Sequence, residues 1–374
     1  MKQRPLYEQI YSDIRGQIVQ GAFEAGDRLP SEKEISEQYQ VSRITSKKAL
    51  EMLAEEGTVI RMPGRGTFLA KAPAPDGRGE AEPVQGPSDA GEKKIGVILD
   101  GFGPSFGCRL LESIEYECQR QGIVMMLHCS YGKMEEESRA IEQLCANGAQ
   151  GILIMCVHGE VYNASIMKMV VEHFPVVTLD RKLRGIPVSF VGTDNEAAAR
   201  ELADYLLDRG YRNICFAQRH SLETSAVKDR ERGFCIAHNE RGIVPDESIW
   251  LSGIKATLPL FFGPGQLKED LQLVTDFIQE HPRIDSFFAV EYSIAQIIYT
   301  CLCRLGLEKE KPVVCFDSTE NIMQEYQFTH VKQDEDQEGR LGVRILADAI
   351  DGNGEIRTVL VPHRIVEATG FLRN

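Results

Sequence analysis

Ser42-Arg43-Ile44-Thr45-Ser46-Lys47 gathers a guanidinium, an ammonium and three hydroxyls within six residues. A guanidinium can fork onto a guanine edge, and hydroxyls can bond bases or phosphates, so Ser42, Arg43, Thr45, Ser46 and Lys47 suit a major groove. Upstream, Arg28 and Lys33 are placed to hold the phosphate backbone. Arg65 lies between Gly64 and Gly66, where the chain is free enough to lay a cation in a minor groove. Any one of these residues is ordinarily a solvated surface charge; their order along one short scaffold is what points to duplex DNA. The net charge of −14 at first argues against nucleic acid, but residues 1–70 carry ten basic and ten acidic side chains. The whole deficit therefore lies in 71–374, and 41–50 and 57–70 are basic with no acid.

The elements that would position these groups are legible. Tyr7, Ile10, Tyr11, Ile14 and Ile18 form an apolar helical stripe that ends near Gly21. Ser31 and Glu34 have capping-box spacing and open a second helix through Tyr39. Ser42 can cap a third, with Ala49, Leu50 and Leu53 facing inward before Gly57 stops it. Short strands at 58–60 and 67–69 flank a turn at 63–66. Three helices and a hairpin make an α+β winged helix-turn-helix over 1–70. Residues 71–93, rich in Pro, Gly, Ala and charge with Val84 the one large aliphatic, read as a linker.

From Lys94 to Asn374 strands alternate with helices. Strands are expected at 95–99, 123–127, 151–155, 176–179, 190–192, 214–217, 286–290 and 312–316. Helices are expected through 121 and at 134–147, 226–240, 266–280 and 293–305, with a capping box at Thr193–Glu196 opening another that ends at Arg209-Gly210. Such alternation implies parallel sheets covered on both faces, and its length suits two α/β lobes.

Enzyme chemistry finds little support. Gly101, Gly103 and Gly107 follow a strand but are spaced GxGxxxG, with Pro104 intruding and no acid after the next strand. GxSxG, HExxH and GKS/T motifs are absent. His128, His158, His173, His220 and His238 have no regular partner spacing. The ten cysteines are scattered singly from Cys108 to Cys315, without CxxC or Cys/His clusters, so they read as reduced, mostly buried residues rather than metal ligands. No cofactor and no metal are expected. The N-terminus lacks the apolar stretch of a secretory signal and no long apolar run spans a membrane, so cytoplasmic residence is expected.

The head resembles the DNA-binding domain of the gluconate-repressor (GntR) family almost end to end. Its landmarks are Arg28-Leu29-Pro30-Ser31-Glu32, Val41-Ser42-Arg43 with Lys47-Lys48-Ala49-Leu50, and Gly64-Arg65-Gly66-Thr67-Phe68. Ser46 and Lys47 stand where an aliphatic residue and an arginine are common. Such heads are also found fused to aminotransferase-like domains or to smaller sensors. The first would need a larger chain with a Schiff-base lysine, and the second lacks this strand–helix alternation.

The remainder is similar to the sensor of the lactose/galactose-repressor (LacI) family, and so to periplasmic sugar-binding proteins. Lys94-Ile95-Gly96-Val97-Ile98, Pro175 to Arg181, Val191-Gly192-Thr193-Asp194-Asn195, Arg230 to Phe234, Val313 to Asp317 and Lys332-Gln333-Asp334 carry the likeness. A winged head on this sensor resembles the arabinose-repressor arrangement. The resemblance implies a two-lobed, periplasmic-binding-protein-like fold with a polyol cleft lined by Asp180, Arg181, Arg230 and Asp317, plus Ser105 and Phe106 from the first loop. Glu291 lies where the family often has Asn, which would alter selectivity. It further implies a repressor released from double-stranded operator DNA by a sugar-like effector, with corepression the alternative sign, and paired heads matching pseudo-palindromic half-sites imply a homodimer. The competing reading is an enzyme or solute-binding protein with an accessory DNA-binding head.

Overall fold

The structure is a computed structural model describing residues 6–19, 23, 27, 29–55, 59–62, 66–69, 92–158, 163–219, 224–255, 264–319, 323 and 325–369. The chain divides into two compact units, Met1–Gly86 and Pro87–Asn374. Arg28, Arg65 and residues 70–91, which include most of the stretch read as a linker, lie outside the described residues.

In the first unit, α1 (Leu6–Val19) carries Ile10, Ile14 and Ile18 on one face, and all three are buried. Ser31 caps α2 (Glu32–Gln38), its side chain accepting from the Glu34 N–H while the Glu34 carboxylate accepts from the Ser31 N–H at 2.6 Å. A turn with Gln40 at φ +51° leads to α3 (Arg43–Glu55). Ala49, Leu50 and Leu53 of α3 close on the α1 stripe, Leu29 and Ile35 to form the core. Each such side chain contributes roughly 1.5–3 kcal/mol by leaving water. Strands β1 (Val59–Met62) and β2 (Gly66–Leu69) pair antiparallel, and the Leu29 N–H bonds the Thr67 carbonyl at 2.9 Å, tying the hairpin to the helices.

The second unit is built on two six-stranded sheets. The first lobe begins β3 (Lys94–Leu99), α4 (Cys108–Gln121), β4 (Val124–Cys129), α5 (Met134–Ala146), β5 (Gly151–Ile154), α6 (Ala164–Val171), β6 (Val176–Leu179) and β7 (Ser189–Thr193). The chain then passes to α7 (Asn195–Asp208), β8 (Ile214–Arg219), α8 (Ser225–Glu240), β9 (Leu251–Ile254), α9 (Pro264–Glu280), β10 (Ser286–Ala289), α10 (Tyr292–Leu305), β11 (Val313–Phe316) and β12 (Thr329–Gln333). It ends with α11 (Glu335–Ile350), β13 (Thr358–Val361) and β14 (His363–Val366). Sheet orders are β13-β7-β6-β5-β3-β4 and β14-β12-β11-β10-β8-β9. Every pairing is parallel except β12 with β14.

Alternation along the strands explains the layers. Ile95, Val97 and Leu99 meet α4 and α11 on one face, while Ile98 meets α5 and α6 on the other. The second sheet is likewise sandwiched, around Phe216, Phe287, Phe288 and Phe316. The helices after β7 and β12 change sides. α7 packs on α8 in the second lobe, and α11 packs on α4, β5 and β6 in the first. Chain crossings at 193–195, 333–335 and 361–363 therefore join the lobes. Tight contacts fix these exchanges: a Cβ on Gly233 would lie 2.1 Å from the Glu196 carbonyl oxygen, and one on Gly339 1.9 Å from Ser113 Oγ.

The sequence expectations for β9, β12, β13 and β14 were missing, and the Thr193 cap is corrected. Asp194, one residue later, accepts the Ala197 N–H at 3.0 Å and caps α7, while Thr193 ends β7.

Candidate functional site

The N-terminus of α3 is organised by Ser42, whose Oγ accepts the Thr45 N–H at 3.2 Å and lies 2.8 Å from Thr45 Oγ1. Both hydroxyls are thus engaged in capping the helix that carries Arg43 and Lys47. Arg43 is exposed, with no ion-pair partner among the described residues; Lys47 is exposed and 3.6 Å from Glu51. Lys33 on α2 is also exposed, 3.9 Å from Glu37. Lys48 lies over the Tyr7 ring at 4.4 Å from its centroid. Ser46 is corrected: it is 0 % exposed and its Oγ donates to the Ser42 carbonyl at 3.3 Å. It cannot reach a base or phosphate, because one helical turn before Ala49 and Leu50 puts it on the inward stripe. The backbone of Gly66 opens β2, next to the undescribed Arg65.

In the second unit, the ends of β3, β6, β8, β11 and β12 and the starts of α8 and α10 face one cleft of about 720 Å³, counting space open to solvent. Ser105, Phe106, Asp180, Arg181, Arg230, Glu291 and Asp317 all line it. Asp100, Arg219, Thr224, Tyr292 and Gln333 line it too, and the sequence reading did not assign them there. Asp100 and Gln333 each occupy a residue at the end of a strand, which is the signal that could have found them.

The site's charges are buried and interlocked. Arg181 Nη2 donates to Asp100 Oδ2 at 2.6 Å, and its Nη1 to the carbonyls of Cys156 at 2.8 Å and Val157 at 3.2 Å. Burial alone would lower the Arg181 pKa, but Asp100 and Asp180 outweigh it and raise it. Arg230 stacks on Phe316 at 3.8 Å, donating from Nε to Asn195 Oδ1 at 2.7 Å and from Nη1 to the Val290 carbonyl at 2.6 Å. It thereby ties the second lobe to the crossing segment that ends β7. Burial lowers its pKa, with Asp317 as the leading counterweight.

Asp180 and Asp317 occupy matching places, each just after the third strand of its sheet. Both are left-handed, at φ +56° and +64°, and both continue the ladder, with N–H bonds to the Val191 and Val331 carbonyls. Asp317 accepts from Gln333 Nε2 at 2.9 Å. Burial pushes its carboxyl up to about 7, against the pull of Arg230 and Gln333. Glu338, one turn into α11, is fully buried, and burial followed by the nearby Asp180 charge raises it well above the usual carboxylate range. Glu335 accepts from the Gly107 N–H at 2.7 Å and the Leu110 N–H at 3.2 Å, capping α4 where Gly107 has no side chain to do so.

Burying an acceptor without a donor costs roughly 1–3 kcal/mol. A cleft that holds carboxylates, amide and guanidinium groups beside Phe106 and Tyr292 is chemically fitted to a small polar ligand with apolar ring faces. No nucleophile–base pair is evident in it, and no group of three His, Cys, Asp or Glu side chains that could hold a metal occurs among the described residues.

Comparison with known proteins agrees with this division. The family described as bacterial regulatory proteins, gntR family, matches residues 6–69, and the periplasmic binding protein domain matches residues 95–353. The arabinose metabolism transcriptional repressor of Geobacillus stearothermophilus is 24% identical over 246 residues, 65% of this chain and 64% of that one. The match thus spans somewhat under two thirds of that relative's length. The HTH-type transcriptional repressor NagR of Bacillus subtilis is 43% identical over 67 residues, 18% of this chain and 28% of that one. A solute binding protein from Bacillus halodurans C-125 with bound myo-inositol has a similar fold, at TM-score 0.63 and 18% identity, covering 75% of this chain and 96% of that one. With residues 95–353 matched, well over half its length, the chain belongs to the periplasmic binding protein domain family, and it carries a gntR-family regulatory domain ahead of that domain.

Proposed function

We propose that this protein is a transcriptional repressor that holds duplex operator DNA through its N-terminal domain and releases it when a sugar or sugar-like molecule fills the cleft. The observation that carries the reading is the presence, on one polypeptide, of a gntR-family domain and a periplasmic-binding domain whose two lobes share a polar cleft. Curated relatives named as repressors of sugar metabolism support it, and so do the exposed cations Lys33, Arg43 and Lys47 around α3. The protein acts without catalysis, in the cytoplasm, as a homodimer whose paired heads meet two half-sites. Effector closes the lobes and changes the spacing of the heads, so that DNA affinity falls.

The test is binding of the full chain to duplex DNA from upstream of its own gene, with arabinose, other pentoses and hexoses added in turn. Binding that one sugar weakens is expected. Arg43→Ala should lower DNA affinity about 5- to 100-fold with the sugar response retained. Arg230→Ala should bind DNA normally and ignore the sugar. A chain that binds no DNA, or whose binding no sugar alters, defeats the reading.

A further inference from the structure

The hydrogen-bonding balance of the cleft is one-sided. Asp100 Oδ1, Asp180 Oδ1, Glu291 Oε1 and Gln333 Oε1 are each buried with no protein donor, and all four side chains line the cleft. Asp100, Asp180 and Gln333 are more than nine-tenths buried. The Gln333 amide places its nitrogen on the Asp317 carboxyl group, leaving its oxygen as the group in need of a donor. The donors present are largely committed. Arg181 is held by Asp100 and two carbonyls, and Arg230 by Asn195 and the Val290 carbonyl.

Charge favours an uncharged ligand as well. Burial pushes the Asp317 carboxyl up to about 7 and that of Glu338 well above the usual carboxylate range, so the remaining carboxylates, Asp100, Asp180 and Glu291, are matched by Arg181, Arg219 and Arg230. A phosphate or carboxylate on a ligand would bring further acceptors to oxygens that already lack donors, and a charge that no free partner offsets. Hydroxyl groups bring donors, which the four oxygens lack, and can accept from whatever guanidinium N–H remains.

We propose that the cleft takes an uncharged polyhydroxylated ligand, its hydroxyls donating to Asp100, Asp180, Glu291 and Gln333, and discriminates against phosphorylated and carboxylated forms of the same ligand. This rests on the cleft being the effector site. It goes further by naming the charge class of the effector and the side chains that enforce it.

The experiment is calorimetric titration of the full chain, without DNA, with matched pairs. These are L-arabinose and L-arabinonate, D-ribose and ribose 5-phosphate, D-glucose with glucuronate and glucosamine, and myo-inositol and its 1-phosphate. At least one neutral compound should bind, with its anionic counterpart weaker by about 100-fold or more. Asp180→Asn keeps a residue type that tolerates left-handed backbone, and Glu291→Gln alters a second position at the start of α10. Each should weaken the neutral ligand about 10-fold or more and narrow its lead over the anion. An anion that binds as tightly as its neutral parent, glucosamine binding more tightly than glucose, or two folded variants with unchanged affinity would overturn the proposal while leaving a sugar sensor intact. Failure of every compound, charged or neutral, would overturn the effector reading and this proposal with it.

Discussion

Asp180 and Asp317 show how much of the site depends on single residues. Each is a left-handed aspartate at the end of a buried strand, a conformation that costs about 1–3 kcal/mol and persists only where the surroundings hold it. Asp317 adds a proton linkage. Its folded pKa, about 7, lies above its ordinary value of 3.8, so the folded chain holds that proton more tightly than the unfolded chain. Its contribution to stability is fully present below pH 3.8 and is lost as pH rises through about 7. Between those limits the slope is at most about 1.4 kcal/mol per pH unit. Urea denaturation from pH 5 to 8 should show the wild type losing stability relative to Asp317→Asn; a gap that stays constant would contradict the burial account. Arg181 permits a second check. Arg181→Met leaves Asp100 buried without its cation and should lower stability by about 3–5 kcal/mol. Equal urea midpoints would mean that the pair is more hydrated than its burial indicates.

At the scale of elements, what the sequence disclosed followed from local pattern. The capping box of α2, the Ser42 cap and the three-and-four spacing of α1 are written in neighbouring residues, and they appear as expected. Ser46 was misassigned because its polar type outweighed its position on the Ala49–Leu50 stripe, although the family likeness had already marked that position as commonly aliphatic. The strands β9 and β12 escaped because Leu251–Ile254 and Thr329–Gln333 interrupt their apolar residues with Ser, Gly, Thr, His, Lys and Gln. β13 and β14 lie at sheet edges with partly exposed patterns, so no continuous apolar run marks them. Loss of the Ser42 cap in Ser42→Ala should cost roughly 1 kcal/mol in thermal unfolding of the head. Gly233→Ala, which places a methyl on the Glu196 carbonyl, should destabilise the second unit by about 1–3 kcal/mol or more, and an unchanged melting point would show that α7 and α8 can part without penalty.

Across the whole molecule, the two-lobed α/β architecture was legible from the alternation of strand and helix, whereas the exchange of α7 and α11 between lobes was not. That exchange depends on contacts far apart in sequence, among them the close approaches at Gly233 and Gly339. One crossing also supplies the cleft directly: Gln333, at the end of β12, lines it at the lobe boundary. A ligand that bridges the lobes would then pull on the same crossings that carry the chain from one to the other. The most direct measurement is fluorescence anisotropy of a labelled upstream duplex with the full chain, titrated with the neutral sugar that calorimetry identifies. A fall in DNA affinity of at least about 10-fold at saturating sugar, abolished in Arg230→Ala, is the predicted result. Affinity that is the same with the cleft filled and unfilled would contradict the coupling of cleft to DNA on which the functional account stands.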